Sequence, residues 1–161
     1  MTSPPEKSRA VPAIVTGGLI VGILDITSAF IIWWCRGVGP VRGLQGIAAG
    51  LLGSQSFQGG VVTAGLGLTI HFFVAFMVVT LFYVGSRMFW FLTRYAVVSG
   101  LLYGMAVYLF MYWVVLPYVF PKFRHSISND VLAVVVHMFL IGLPTALVVQ
   151  RYSQRAMERQ R

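Results

Sequence analysis

The sequence predicts an all-α polytopic membrane protein with four transmembrane helices and a short glycine-rich helix between the first and the second. Of the 161 residues, 58% are hydrophobic and 10% are charged, and the mean hydropathy is +0.82. A soluble domain carries about 25% charged residues. The apolar residues also gather into four runs, each long enough to cross a bilayer, which takes about 20 residues. Composition and run length therefore predict the same class.

The predicted spans follow these apolar runs and end at residues suited to the membrane interface. Pro12 fits the first turn of the first helix, and Trp33 and Trp34 fit its interfacial end. The four spans are predicted at residues 12–35, 61–83, 95–119 and 130–150. A disordered lead is expected at residues 1–11 and a basic tail at residues 151–161.

Residues 40–54 combine glycines at helical spacing with an apolar side, but this segment is too short to span a bilayer. We predict an interfacial or re-entrant helix whose glycine face packs tightly against the bundle. A flexible loop is the alternative, because glycine has a low helix propensity. The glycines predicted to serve helix packing, here and in the spans, are Gly18, Gly22, Gly43, Gly46, Gly50, Gly67, Gly100 and Gly104.

The basic residues, which give a net charge of +8, predict the orientation of the chain. Those on the side of the two termini are Lys7, Arg9, Arg87, Arg94, Arg151, Arg155, Arg159 and Arg161. Those on the other side are Arg36, Arg42, Lys122 and Arg124. This bias places both termini in the cytoplasm, with the stripe Arg151, Arg155 and Arg159 against anionic headgroups. Nucleic acid is excluded as a partner, because aromatic residues do not alternate with the basic ones.

Asp25 lies in the middle of the first span, where a charge costs about 2.5 kcal/mol or more to insert. At 1.5 Å per residue, Asp25 and His71 lie about 18 Å from the inner ends of their helices and His137 about 20 Å. Tyr108 matches them on the third span. Each of these residues shares a helix face with small residues, which marks a packing face. The sequence therefore predicts a buried cluster of Asp25, His71, His137 and Tyr108.

Several chemistries fit this cluster. It can act as a hydrogen-bonded structural pin, or as a proton or ion pathway, since Asp and His exchange protons near neutral pH. A metal site at Asp25, His71 and His137, or a haem between the two histidines, is a weaker alternative, because the spacing typical of metal ligands is missing. We therefore predict no cofactor. No residues are spaced for nucleophilic catalysis, so no catalytic residue is assigned and an enzyme is not the favoured class.

Five segments of the chain resemble a family of small, uncharacterised bacterial inner-membrane proteins, the YagU-like proteins. These segments are residues 22–25, 42–50, 68–72, 102–108 and 137–144. The resemblance covers roughly residues 12–150 and leaves both tails outside. It implies a bacterial inner-membrane location and four helices, and it implies no activity, substrate or cofactor.

Three functions are consistent with these observations. The first is a proton- or ion-responsive membrane element, in transport or envelope homeostasis, built around the Asp/His cluster. The second is an accessory or scaffold subunit of a larger membrane complex, or a homo-oligomer, with lipids as further partners. The third is a metal- or haem-binding membrane protein.

Overall fold

The computed structural model describes residues 7–120 and 124–158, with side chains described over 10–120 and 124–153. Every regular element in these ranges is a helix. The helices are α1 (Lys7–Cys35), α2 (Pro40–Leu52), α3 (Gly60–Met88), α4 (Phe91–Arg94), α5 (Ala96–Val119) and α6, which extends from residue 127 to residue 158. A 3-10 turn, Gly53–Gln58, joins α2 to α3. Helices α5 and α6 contain π-helical segments at Met111–Val115 and His137–Gly142.

Helices α1, α3, α5 and α6 are each long and apolar enough to cross a membrane, which confirms the predicted all-α class with four candidate spans. Two of the helices extend beyond the predicted spans. Residues 7–11 are helical rather than disordered, and α6 continues through residues 151–158 of the expected tail. The apolar runs mark only the part of a helix that lipid covers, so they do not show where the helix itself ends. Residues 1–6 and 159–161, including Arg159, lie outside the described ranges.

Helices α1 and α6 run antiparallel, and polar contacts join them at both ends. At one end the hydroxyls of Thr16 and Tyr152 lie 3.0 Å apart. At the other end Arg36 donates a hydrogen bond of 2.8 Å to the side-chain oxygen of Asn129. We call the end with Thr16 and Tyr152 the termini end, and the end with Arg36 and Asn129 the α2 end. Both ends of the described chain therefore lie at the same end of the bundle.

Glycines allow the backbones of several helices to approach each other directly. A Cβ added at Gly104 of α5 would meet the carbonyl oxygen of His137, and one added at Gly142 would meet the backbone of Gly104. Between α2 and α3, a Cβ at Gly67 would meet the carbonyl oxygen of Leu44. These contacts leave no room for a larger side chain, which is the reason small residues occupy membrane helix interfaces.

Helix α2 packs on the start of α3 and on the end of α1. Gly43 contacts the indole of Trp33, and the amide of Gln45 donates a hydrogen bond of 3.0 Å to the carbonyl oxygen of Gly60. The prediction of tight packing does not hold for Gly46, because a Cβ added there would meet nothing within 4 Å. Its open side faces a cavity.

The apolar core is divided along the bundle axis. One cluster joins α1, α3 and α6 and consists of Val21, Ala75, Val79 and Ile141. A second, nearer the termini end, consists of Phe82, Ala96, Ala146 and Val149. Toward the α2 end, α2 contacts the ends of α1, α3 and α5, and residues of these helices and of α6 line a cavity.

Candidate functional site: a cavity beneath helix α2

A cavity of about 760 Å³ lies between α1, α2, α3, α5 and α6. This volume falls within the range of roughly 300–1,000 Å³ that is typical of small-molecule sites. Its wall is mostly apolar. The ionisable side chains that line it are Asp25, Arg36, Arg42, His71 and His137.

Asp25 and His71 approach each other across the interface between α1 and α3. The Oδ2 atom of Asp25 lies 3.9 Å from Nδ1 of His71, which is too long for a direct hydrogen bond but short enough for an electrostatic contact. The other nitrogen of this ring, Nε2, lies 2.9 Å from the carbonyl oxygen of Gly22. A carbonyl only accepts, so Nε2 carries the proton. In the neutral ring, Nδ1 is therefore unprotonated and faces the carboxylate.

His137 is anchored in the same way but through its other nitrogen. Its Nδ1 atom lies 2.8 Å from the carbonyl oxygen of Ala133, one turn earlier in α6, so Nδ1 donates and Nε2 is the nitrogen that gains or loses a proton. The ring lies edge-on to Tyr108 and Tyr112, with centroids 5.9 and 5.7 Å away. His137 also begins the π-helical segment of α6, a feature frequent at functional sites.

The structure brings Asp25 and His71 together and places His137 on the wall of the same cavity, but it shows no buried Asp/His cluster. The side chain of Asp25 is 27% exposed and that of His71 is 11% exposed. The prediction of a buried cluster is therefore wrong in this respect. Helical depth placed these groups at one level, but it could not show that the helices separate around a cavity there. Tyr108 is 4% exposed and packs against the ring of His137.

Three residues near the cavity were missed as site residues. Arg36 and Arg42 line it, although in the sequence their positions indicated only the orientation of the chain. The ring of Tyr112 contacts those of His137 and Tyr108. Tyr112 follows Tyr108 by four residues, a spacing that puts both side chains on one face of a helix and that could have indicated this contact from the sequence.

Over the described part of the chain, no group of three or more His, Cys, Asp or Glu side chains is placed to hold a metal ion. The weaker alternative, a metal at Asp25, His71 and His137, therefore gains no support from the geometry. One nitrogen of each ring is already bound to a backbone carbonyl, so each histidine has one nitrogen left for any other partner.

The described chain is all-helical, and its four long apolar helices indicate the class of multi-pass membrane proteins. Comparisons of the chain with protein families, with curated proteins and with solved structures found no match. The resemblance to the YagU-like proteins therefore stays a prediction.

Proposed function

We propose that this chain is a proton-responsive membrane protein in which Asp25, His71 and His137 take up protons on one side of the membrane and release them on the other. The observation that carries the proposal is the pair formed by Asp25 and His71 in the cavity wall. Oδ2 of Asp25 and Nδ1 of His71 lie 3.9 Å apart, and the imidazole is held by a backbone carbonyl. Ionisable groups within a membrane span are costly, and they commonly mark proton or ion pathways.

The anchoring of the two rings favours proton exchange over a purely structural pin. Each histidine keeps one N–H on a carbonyl, so its second nitrogen can gain or lose a proton while the ring stays in place. Unprotonated, the Asp25–His71 pair carries one negative charge, and a single added proton neutralises it. The charge of an otherwise apolar wall therefore changes with pH, which can bias the packing of α1 against α3.

The proposal places the protein in a bacterial inner membrane with both termini in the cytoplasm. The excess of basic residues on the termini side supports this orientation. Helix α2 then lies at the opposite interface. Its exposed Arg42 and its exposed apolar Leu51 suit a helix between headgroups and acyl chains.

Proton movement in reconstituted vesicles tests the proposal. The purified chain is placed in vesicles that enclose a pH-sensitive dye, and a pH gradient is imposed. We expect the wild type to dissipate the gradient faster than protein-free vesicles, and Asp25→Asn and His71→Gln to lose this difference. His125→Gln is the matched control, because His125 is exposed and lies outside the cavity lining. If Asp25→Asn and His71→Gln behave as the wild type, the proposal fails.

A further inference from the structure

The cavity is electrostatically asymmetric. Arg36 and Arg42 line it at the α2 end, and both are exposed. Arg36 donates to Asn129 at 2.8 Å, and the guanidinium carbon of Arg42 lies 4.6 Å from the centre of the Phe57 ring. In the ranges that the structure describes, no carboxylate forms an ion pair with either arginine. Each guanidinium has five N–H donors, so donors remain for an anion.

The stretch of the cavity from Arg36 to Asp25 matches one leaflet of a bilayer. Arg36 follows Asp25 by eleven residues on α1, which at 1.5 Å per residue is about 16 Å. Half of a hydrocarbon core of about 30 Å is about 15 Å. The wall between Asp25 and Arg36 includes the apolar residues Ile47, Ile70, Met111 and Val115. Beyond Asp25 the lining continues with Val21, Val74 and Val78. The cavity is therefore mostly apolar along its depth and cationic at its α2 end.

We propose that this cavity binds one acyl chain of an anionic phospholipid, whose phosphate is held by Arg36 and Arg42. Guanidinium groups bind phosphate oxygens through paired, charge-assisted hydrogen bonds, and the apolar wall suits a hydrocarbon chain. A volume of about 760 Å³ is ample for one chain and too large to be an ordinary packing defect. The inference goes beyond the proposed function, because it does not require Asp25 to exchange protons.

The glycines of α2 explain how the cavity stays open beneath the helix. Gly43, Gly46 and Gly50 all line it. A Cβ added at Gly46 would meet nothing within 4 Å, so a side chain introduced there would begin in open space at the cavity wall. Gly65 of α3 is the matched control, because its added Cβ also meets nothing, but Gly65 is exposed and does not line the cavity.

Lipid retention measured by native mass spectrometry tests this site. The full chain is extracted in mild detergent from vesicles that contain phosphatidylglycerol and phosphatidylcholine in equal amounts with identical acyl chains. We expect the wild type to retain one phosphatidylglycerol per chain, with about a tenfold preference over phosphatidylcholine. The double variant Arg36→Gln/Arg42→Gln should lose this preference. Gly46→Leu should lose the bound lipid, and Gly65→Leu should retain it.

Several results would overturn the proposal. These are equal retention of the two lipids by the wild type, retention by Gly46→Leu at the wild-type level, and release of the lipid by millimolar inorganic phosphate, which would indicate a site for a free anion. The arginine variant changes exposed side chains, so it tests the site even if Gly46→Leu fails to fold. Lipid retention is measured without a pH gradient, so lipid binding and proton response are measured independently.

Discussion

His71 contacts Asp25 through one nitrogen of its ring and the backbone of α1 through the other. Nδ1 lies 3.9 Å from Oδ2 of Asp25, and Nε2 lies 2.9 Å from the carbonyl oxygen of Gly22. Both partners belong to the same helix and are one turn apart, so the ring is fixed relative to α1. His137 is held within its own helix instead, through Nδ1. The two histidines therefore present opposite nitrogens for proton exchange.

The two histidines are expected to be opposite tautomers when neutral. His71 should carry its proton on Nε2, which donates to Gly22, and His137 should carry its proton on Nδ1, which donates to Ala133. Nitrogen and carbon chemical shifts of the imidazoles, measured by solid-state NMR in lipid vesicles above neutral pH, report the tautomer directly. His71→Gln and His137→Gln assign the two signals. The same tautomer at both positions would contradict the geometry.

Adding a methyl group at the glycine contact between α5 and α6 should destabilise the bundle. In Gly104→Ala the new methyl group would meet the carbonyl oxygen of His137, so the helices must separate. Overpacking of this kind costs about 1–3 kcal/mol. The free energy of unfolding, measured by denaturant titration in mixed micelles, should fall by this amount. Gly65→Ala is the control, and its stability should stay unchanged or rise by up to about 1 kcal/mol, because alanine has the higher helix propensity.

A hydrogen bond between α3 and α5 should contribute modestly to stability. The hydroxyl of Tyr103 donates to the carbonyl oxygen of Val78 at 2.7 Å, and its ring packs edge-on to Phe82. Tyr103→Phe removes the hydrogen bond and keeps the ring contact. Hydrogen bonds between membrane helices average about 0.6 kcal/mol, so the free energy of unfolding should fall by about this much. Tyr95→Phe, at a residue that is 59% exposed, should show no such loss, and an equal loss in both variants would contradict the interpretation.

The sequence predicted the spans and the approach of Asp25 to His71, and the physical reason is the same for both. Lipid selects long apolar helices, and an ionisable group inside them must find a polar partner on a packing face. Helical rise then places Asp25 and His71 at one depth before any contact is known. The structure confirms the four candidate spans and brings Asp25 and His71 to 3.9 Å.

The cavity could not be predicted in this way, because its volume depends on how far the helix ends separate. Gly43 and Gly46 look alike in the sequence, at helical spacing in one segment. The structure packs Gly43 against Trp33 and leaves Gly46 open to the cavity. Arg36 and Arg42 likewise resemble ordinary interfacial charges, and only the position of α2 places them on one rim. These features arise from tertiary packing, which periodicity and hydropathy do not encode.

The orientation of the chain can be tested with its single cysteine. Cys35 is exposed at the end of α1, beside Arg36, at the α2 end of the bundle. If both termini are cytoplasmic, a membrane-impermeant maleimide should label Cys35 when the outer face of the inner membrane is exposed, in spheroplasts. A Cys35→Ser variant that also carries Arg151→Cys, at an exposed residue of the termini end, should react only after the membrane is opened. Labelling of the Arg151→Cys variant in intact spheroplasts, with Cys35 protected in the wild type, would establish the inverse topology.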